Sequence, residues 1–310
     1  MKEWIRLEPV FKQMVWGGSR MREFFGYNIP GNDTGEAWCV SAHAQGDCMV
    51  LGGRFAGRTL SWLWEHERGL FGGIAGKEFP LLVKYIDAKE DLSIQVHPDD
   101  RYAGIHEDGA RGKTECWYIL DCKKDADIII GHSARDQSEL ETMIRENRWK
   151  DLLRVRPIQA GDFFQIEPGT IHAIRKGTFL IEIQQNSDIT YRLYDYGRCP
   201  GGKPRQLHLQ QAMDVVKCPY KGQTAAPEVF YGQGYERATL VTCPFYTVEK
   251  YTVREILDIR QDHPFMILCV TDGSGTIDGS SVKKGDNLIL PFGYGTAQIK
   301  GNLSVMAAFV

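Results

Sequence analysis

Four side chains in this sequence have the types and spacing to hold a divalent cation. In LSIQVHPDD, residues 92–100, Leu92, Ile94 and Val96 alternate with Ser93, Gln95 and His97. A period of two is the mark of a strand, so Gln95 and His97 share one face of it. In KTECWYIL, residues 113–120, Lys113 and Glu115 are likewise two apart at the start of an apolar strand. His172 follows the turn EPGT at 167–170. Two imidazoles, a carboxylate and an amide oxygen can ligate a divalent metal and leave one coordination position open. Imidazole and carboxylate suit zinc, and two His with one carboxylate also suit non-haem iron(II). The other histidines, His43, His66, His106, His132, His208 and His263, show no ligand spacing and are read as structural.

Such a constellation needs strands to position it. Short runs rich in β-branched and aromatic residues recur at 79–86, 126–131, 178–184, 264–270 and 286–292, separated by Gly and Pro turns. That spacing predicts a mainly β protein, a sandwich or small barrel. Helical periodicity is confined to 137–155, where Leu140, Met143, Ile144, Leu152 and Leu153 recur, to 206–216, and to a short piece at 59–66. The Pro-, Gly- and polar-rich stretch 217–237 reads as a linker between a unit at 1–216 and a smaller all-β unit at 238–310. Each unit carries a Gly-Asp turn, an apolar strand and a Pro–Gly turn, which predicts two similar barrels, one with His172 and one without a counterpart to it.

The composition sets outer bounds. With 43% hydrophobic and 25% charged residues and a net charge of −3, the chain offers no basic surface for nucleic acid or anionic membrane. No secretory pattern or bilayer-length apolar run is found, which predicts a cytoplasmic protein. The eight cysteines lack paired spacing and are expected to be buried, reduced thiols.

TGEAWCVSAH (34–43), LSIQVHPDD, KTECWYIL, EPGTIHAI (167–174) and QNSDITYRLYDYGR (185–198) occur in an order that resembles the type I mannose-6-phosphate isomerases, in their short bacterial form. The resemblance implies two cupin-like jelly-roll barrels, the second without metal ligands. It implies one zinc ion per chain held by Gln95, His97, Glu115 and His172. It places an active-site arginine at Arg192 and a second basic residue at Arg198, with Lys113, Lys84, Ser93 and Glu182 lining the pocket. The turn reads EPGTIH where the family form is closer to P-A-G-T-x-H, but Gly169 and His172 keep their places.

The activity so implied interconverts mannose 6-phosphate and fructose 6-phosphate through a cis-enediol. A metal would stabilise the developing oxyanion, and a general base would move the proton between C1 and C2. Lys113, whose pKa a neighbouring cation should depress, and Glu182 are both open for that role. Arg192 and Arg198 can bind the phosphate dianion, or can be ion-paired to Asp188 or Asp195. Trp16, Trp38 and Trp117 are read as core or pocket wall, and Asp99 and Asp100 as caps of the turn after Pro98. The competing readings are a non-catalytic sugar-phosphate binder and an iron(II) cupin oxygenase. The expected partner is a small sugar phosphate, and the expected assembly a monomer or weak homodimer.

Overall fold

In the computed structural model, which describes residues 2–222 and 227–310, the strands gather into sheets of ten, six, five and two. The five-stranded sheet runs, from edge to edge, Leu153–Pro157, Asp127–His132, His172–Ile174, Ile94–Val96 and Tyr191–Tyr194. The six-stranded sheet runs Phe163–Ile166, Glu115–Cys122, Thr178–Gln185, Leu81–Asp87, Thr34–Val40 and Val10–Gly18. Both are antiparallel throughout, so each strand can present different chemistry on its two faces.

The two sheets face each other across a shared core. Ile86, Trp117, Ile119, Phe164 and Leu180 from the six-stranded sheet meet Ile128, Ile130 and Ile174 from the five-stranded one. Residues two positions along the same strand faces are polar: Lys84 beside Ile86, Glu182 beside Leu180, His172 beside Ile174. The space between the sheets is therefore apolar at one end and ionisable at the other. The opposite face of the five-stranded sheet, with Ile94, Val96, Ile129, Ala173, Tyr191 and Leu193, is covered by helices Gln137–Arg145 and Leu209–Val215. Burying Ile94 and Val96 there, at about 1.5–3 kcal/mol each, locks the strand with Gln95 inward.

The ten-stranded sheet covers the other face of the six-stranded one. Along Phe265–Ile277, Phe265, Ile267 and Cys269 enter that interface, while Met266, Leu268 and Val270 fill a separate core within the C-terminal part. Among the described residues, no helix is long and apolar enough to cross a membrane.

Several expectations need correction. The protein is mainly β as expected, but two separate barrels are not shown: among the described residues no sheet closes on itself. One edge of the five-stranded sheet, Leu153–Pro157, exposes Arg154 and Arg156 and ends in proline, features that oppose further pairing. The C-terminal sheet also draws on the other end of the chain, since Ile5–Glu8 pairs with both Asn287–Pro291 and Met49–Val50. Part of the expected linker is strand: Glu228–Gly232 pairs with Tyr235–Thr242. Residues 223–226 of that linker lie outside the described residues. The helix expected over 137–155 ends at Arg145, and Asn147 takes a left-handed φ of 55° before the short helix Trp149–Leu152 and a strand. The thiols are free, but only Cys39, Cys48, Cys116 and Cys269 are buried, and Cys199 is exposed.

Candidate metal and substrate site

The site is assembled from two rungs that face each other across the sheets. In the five-stranded sheet, His172 and Arg192 are the cross-strand neighbours of Gln95 on its two sides. In the six-stranded sheet, Lys84 pairs with Trp38 and with Glu182, and Glu182 with Trp117. Glu115 lies two residues before Trp117 and so looks inward, and His97 follows the end of Ile94–Val96. The expected stripe holds for Ser93, Gln95 and His97. Leu92 departs from it: the strand begins only at Ile94, and Leu92 joins the core between the sheets rather than the helical layer.

His97, Glu115 and His172 converge, all buried, with their ligand atoms within 4.8 Å of one another. The two imidazole Nε2 atoms are 3.1 Å apart, and Glu115 oxygens lie 3.5 Å from His97 Nε2 and 3.4 Å from His172 Nε2. Their other nitrogens are engaged: His97 Nδ1 donates to the Ile189 carbonyl at 2.7 Å and His172 Nδ1 to the Thr170 carbonyl at 2.9 Å. A proton held on each Nδ1 leaves both Nε2 lone pairs pointing at the same volume. Burial, followed by the charge of Lys113, pushes the His97 pKa down to about 3, and burial lowers that of His172. Both rings are thus neutral, and neither Glu115 oxygen accepts a hydrogen bond. Two lone pairs and a buried carboxylate, whose protein counter-charge is the Lys113 ammonium, thus converge on one volume that a cation would fill. The donor set fits a divalent metal. Gln95 adds its side-chain amide 3.3 Å from His172 Nε2, and rotating that amide turns its oxygen to the same centre.

Around these ligands lies a cleft of about 880 Å³, counting its open mouth, lined by Glu36, Trp38, Lys84, Ser93, Gln95, Lys113, Glu182, Asp188, Arg192 and Arg205 among others. Lys113 Nζ is 3.0 Å from Glu115 and Lys84 Nζ 3.3 Å from Glu182, and all four side chains are buried. Burial works against the Lys113 ammonium, but Glu115 and Glu182 outweigh it and its pKa is raised. That rise comes from protein charges alone, the nearest of them carboxylates, whereas the expected depression would come from a bound cation. Burial alone would raise the Glu115 pKa, yet the Lys113 ammonium holds it well below the usual carboxylate range. Glu182 behaves oppositely: burial and the Glu115 charge raise its pKa, while Trp117 Nε1 donates to it at 2.9 Å. Ser93 Oγ reaches Gln95 Oε1 at 3.3 Å.

Of the two readings left open for the arginines, cleft or ion pair, Arg192 takes the first and Arg198 the second. Arg192 lines the cleft, and its buried Nε has no partner. Arg198 turns away, pairing with Asp195 and donating to the Asp91 carbonyl at 2.5 Å. Arg205 takes the place in the cleft, its Nε 2.7 Å from Asp195. It sits in irregular chain after Lys203, where no periodicity could have marked it. Glu36, which accepts from Trp38 Nε1 at 2.6 Å, was also missed, although its place in TGEAWC gives it inward parity. Trp38 and Trp16 line the cleft, Trp16 from the core between the sheets, and Trp117 is fully buried in that same core. Asp99 caps an unexpected helix, Asp100–His106, by accepting from Tyr102 N–H, while Asp100 accepts from Gly112 N–H and Gln185.

The sequence matches two family descriptions: "Phosphomannose isomerase type I, catalytic domain" over residues 4–115 and "Mannose-6-phosphate isomerase, cupin domain" over residues 236–310. It is 46% identical over 299 residues to mannose-6-phosphate isomerase ManA of Bacillus subtilis, covering 95% of each chain. A mannose-6-phosphate isomerase of Streptococcus mutans is 42% identical, with 97% of this chain and 98% of that protein covered. The crystal structure of the Bacillus subtilis mannose 6-phosphate isomerase superposes with a TM-score of 0.98 at 44% identity, covering 100% of both chains.

Proposed function

Because the chain belongs to the type I phosphomannose isomerase family, we propose that the cleft described above is where it interconverts mannose 6-phosphate and fructose 6-phosphate. The observation that carries this reading is the buried triad His97, Glu115 and His172, in neutral-tautomer geometry and in contact with Gln95 and Lys113, which line a polar cleft. We take the ion to be zinc, one per chain, with Gln95 as fourth ligand. When bound, it supplies a Lewis acid for the two oxygens between which the carbonyl moves.

Charge balance supports a sugar phosphate as the ligand. Lys84, Lys113, Arg192 and Arg205 give four positive charges, and Glu36, Glu115, Glu182 and Asp188 four negative ones. The protein alone is formally neutral there, so a divalent cation leaves a net +2 for a phosphate dianion. Arg192, with its free buried Nε, and Arg205 are the phosphate ligands in this reading, and Lys84 and Ser93 orient the sugar. Arg198 serves only to fix Asp195. Glu182 has a raised pKa that suits a general base working near neutrality and contributes about 10²–10⁴-fold in rate. It takes the proton from C2 of the aldose and returns it to C1, while the Lys113 ammonium lies against Glu115 and offsets negative charge developing on the enediol oxygens. The cluster of Lys and Arg in the cleft favours this reading over an iron(II) oxygenase, whose oxygen activation needs no phosphate-binding cations.

In the same reading residues 1–216 carry the catalysis, and the metal-free cupin-like unit begins with the strand Glu228–Gly232. A coupled assay of fructose 6-phosphate formation tests the assignment. Glu182→Gln should lose at least about 100-fold in kcat with little change in KM. Retained kcat in Glu182→Gln with loss in Lys113→Ala would move the base to Lys113.

A further inference from the structure

We propose that the exit of helix Leu209–Val215, on the far side of the five-stranded sheet, positions the metal ligands through the backbone of Gly169. The inference rests on the metal reading above. Gly169 lies at the centre of the contact. Its N–H donates to the carbonyl of His97 at 2.9 Å, and its own carbonyl accepts from Lys217 N–H at 2.9 Å. One residue on, the Thr170 carbonyl holds Nδ1 of His172. The segment after the helix is thus tied by main-chain bonds to one ligand residue and to the turn that fixes the tautomer of the other.

Space enforces the arrangement as strongly as the bonds. Gly169 has a φ of +85°, a backbone conformation that residues with a side chain rarely adopt. A Cβ there would stand 2.7 Å from the Val215 carbonyl and 3.1 Å from Lys217 N, both backbone atoms with little freedom to yield. Adding a methyl group must either push the helix exit away or shift the turn carrying Thr170 and His172. None of these groups touches the cleft, so they act through the ligands and not on substrate.

Zinc titration of metal-stripped protein against a chromophoric chelator, well below the unfolding temperature, tests this. Gly169→Ala should bind zinc about 10- to 100-fold more weakly than wild type, the usual scale for groups that orient metal ligands. Lys217→Pro deletes the N–H donor to Gly169 together with the side chain, and Val216 before it already has the extended backbone (φ −61°, ψ 125°) that precedes proline well. It should also weaken zinc, whereas Lys217→Ala, which keeps the N–H, should not. Equal affinity in wild type, Gly169→Ala and Lys217→Pro overturns the proposal. A loss in Lys217→Ala matching that in Lys217→Pro overturns it too, since the side chain would then be responsible. A wild-type protein that binds no zinc defeats the metal reading itself, a result distinct from either.

Discussion

Replacing Arg205 should damage catalysis far more than replacing Arg198, although both hold the same carboxylate. Asp195 is 5% exposed and accepts from each: Arg205 Nε at 2.7 Å and Arg198 Nε at 3.1 Å. Removing either arginine leaves the other in place, so the cost to Asp195 is similar in both variants. The difference lies in the cleft, which Arg205 lines and Arg198 does not. A hydrogen-bonded contact from a guanidinium to a phosphate dianion contributes about 1.5–3 kcal/mol. At about 1.4 kcal/mol per factor of ten, Arg205→Ala should lower kcat/KM for mannose 6-phosphate by about 10- to 150-fold. Arg198→Ala should stay within about fivefold, the scale of a partly exposed ion pair. The loss should fall mainly on KM, because the phosphate is remote from the migrating proton. Steady-state kinetics in both directions, with thermal denaturation to confirm folding, make the measurement. An Arg198→Ala variant as impaired as Arg205→Ala would refute the reasoning.

Three further outcomes follow from the same geometry. Glu115→Gln removes the carboxylate that Lys113 and two imidazoles face. Breaking a buried pair of this kind costs about 3–5 kcal/mol, so the variant should lose zinc and, when stripped, melt below stripped wild type in calorimetry. Trp117→Phe deletes the N–H that stabilises ionised Glu182; the Glu182 pKa then rises further, and the acid limb of the kcat/KM–pH profile should move to higher pH. Asp195 is held below the usual carboxylate range because, against its burial, Arg205 and Arg198 favour the ionised form. A depressed folded pKa contributes stability above the unfolded value and loses it as pH falls through the folded one. The melting difference between wild type and Asp195→Asn should therefore be full near neutrality and shrink as pH drops below about 4.

How far these residues were readable from the chain depended on locality. Gln95, His97, Lys113 and Glu115 could be placed because a strand's two-residue period states which side chains share a face. The same period misplaced Leu92, since nothing in LSIQV shows that the strand starts at Ile94. Arg205 and Arg198 are both basic residues in turn-rich chain, and only the tertiary course of 195–208 decides which one faces the cleft. The open sheets were invisible for a related reason. Pairing of Ile5–Glu8 with Asn287–Pro291 joins residues some 280 apart, and no pattern inside either segment names its partner. The helix at 137–155 failed at one residue, Asn147, whose left-handed backbone ends a periodicity that the apolar residues continue.

The central claim is that His97, Glu115 and His172 hold a metal without which the sugar cannot isomerise. The most direct test is to strip the protein with a chelator, add zinc back in known amounts, and follow bound metal and fructose 6-phosphate formation in the same samples. The account predicts that activity is lost on stripping and returns in proportion to zinc bound, with an end point at one ion per chain. Undiminished turnover in protein shown by elemental analysis to be metal-free would contradict it.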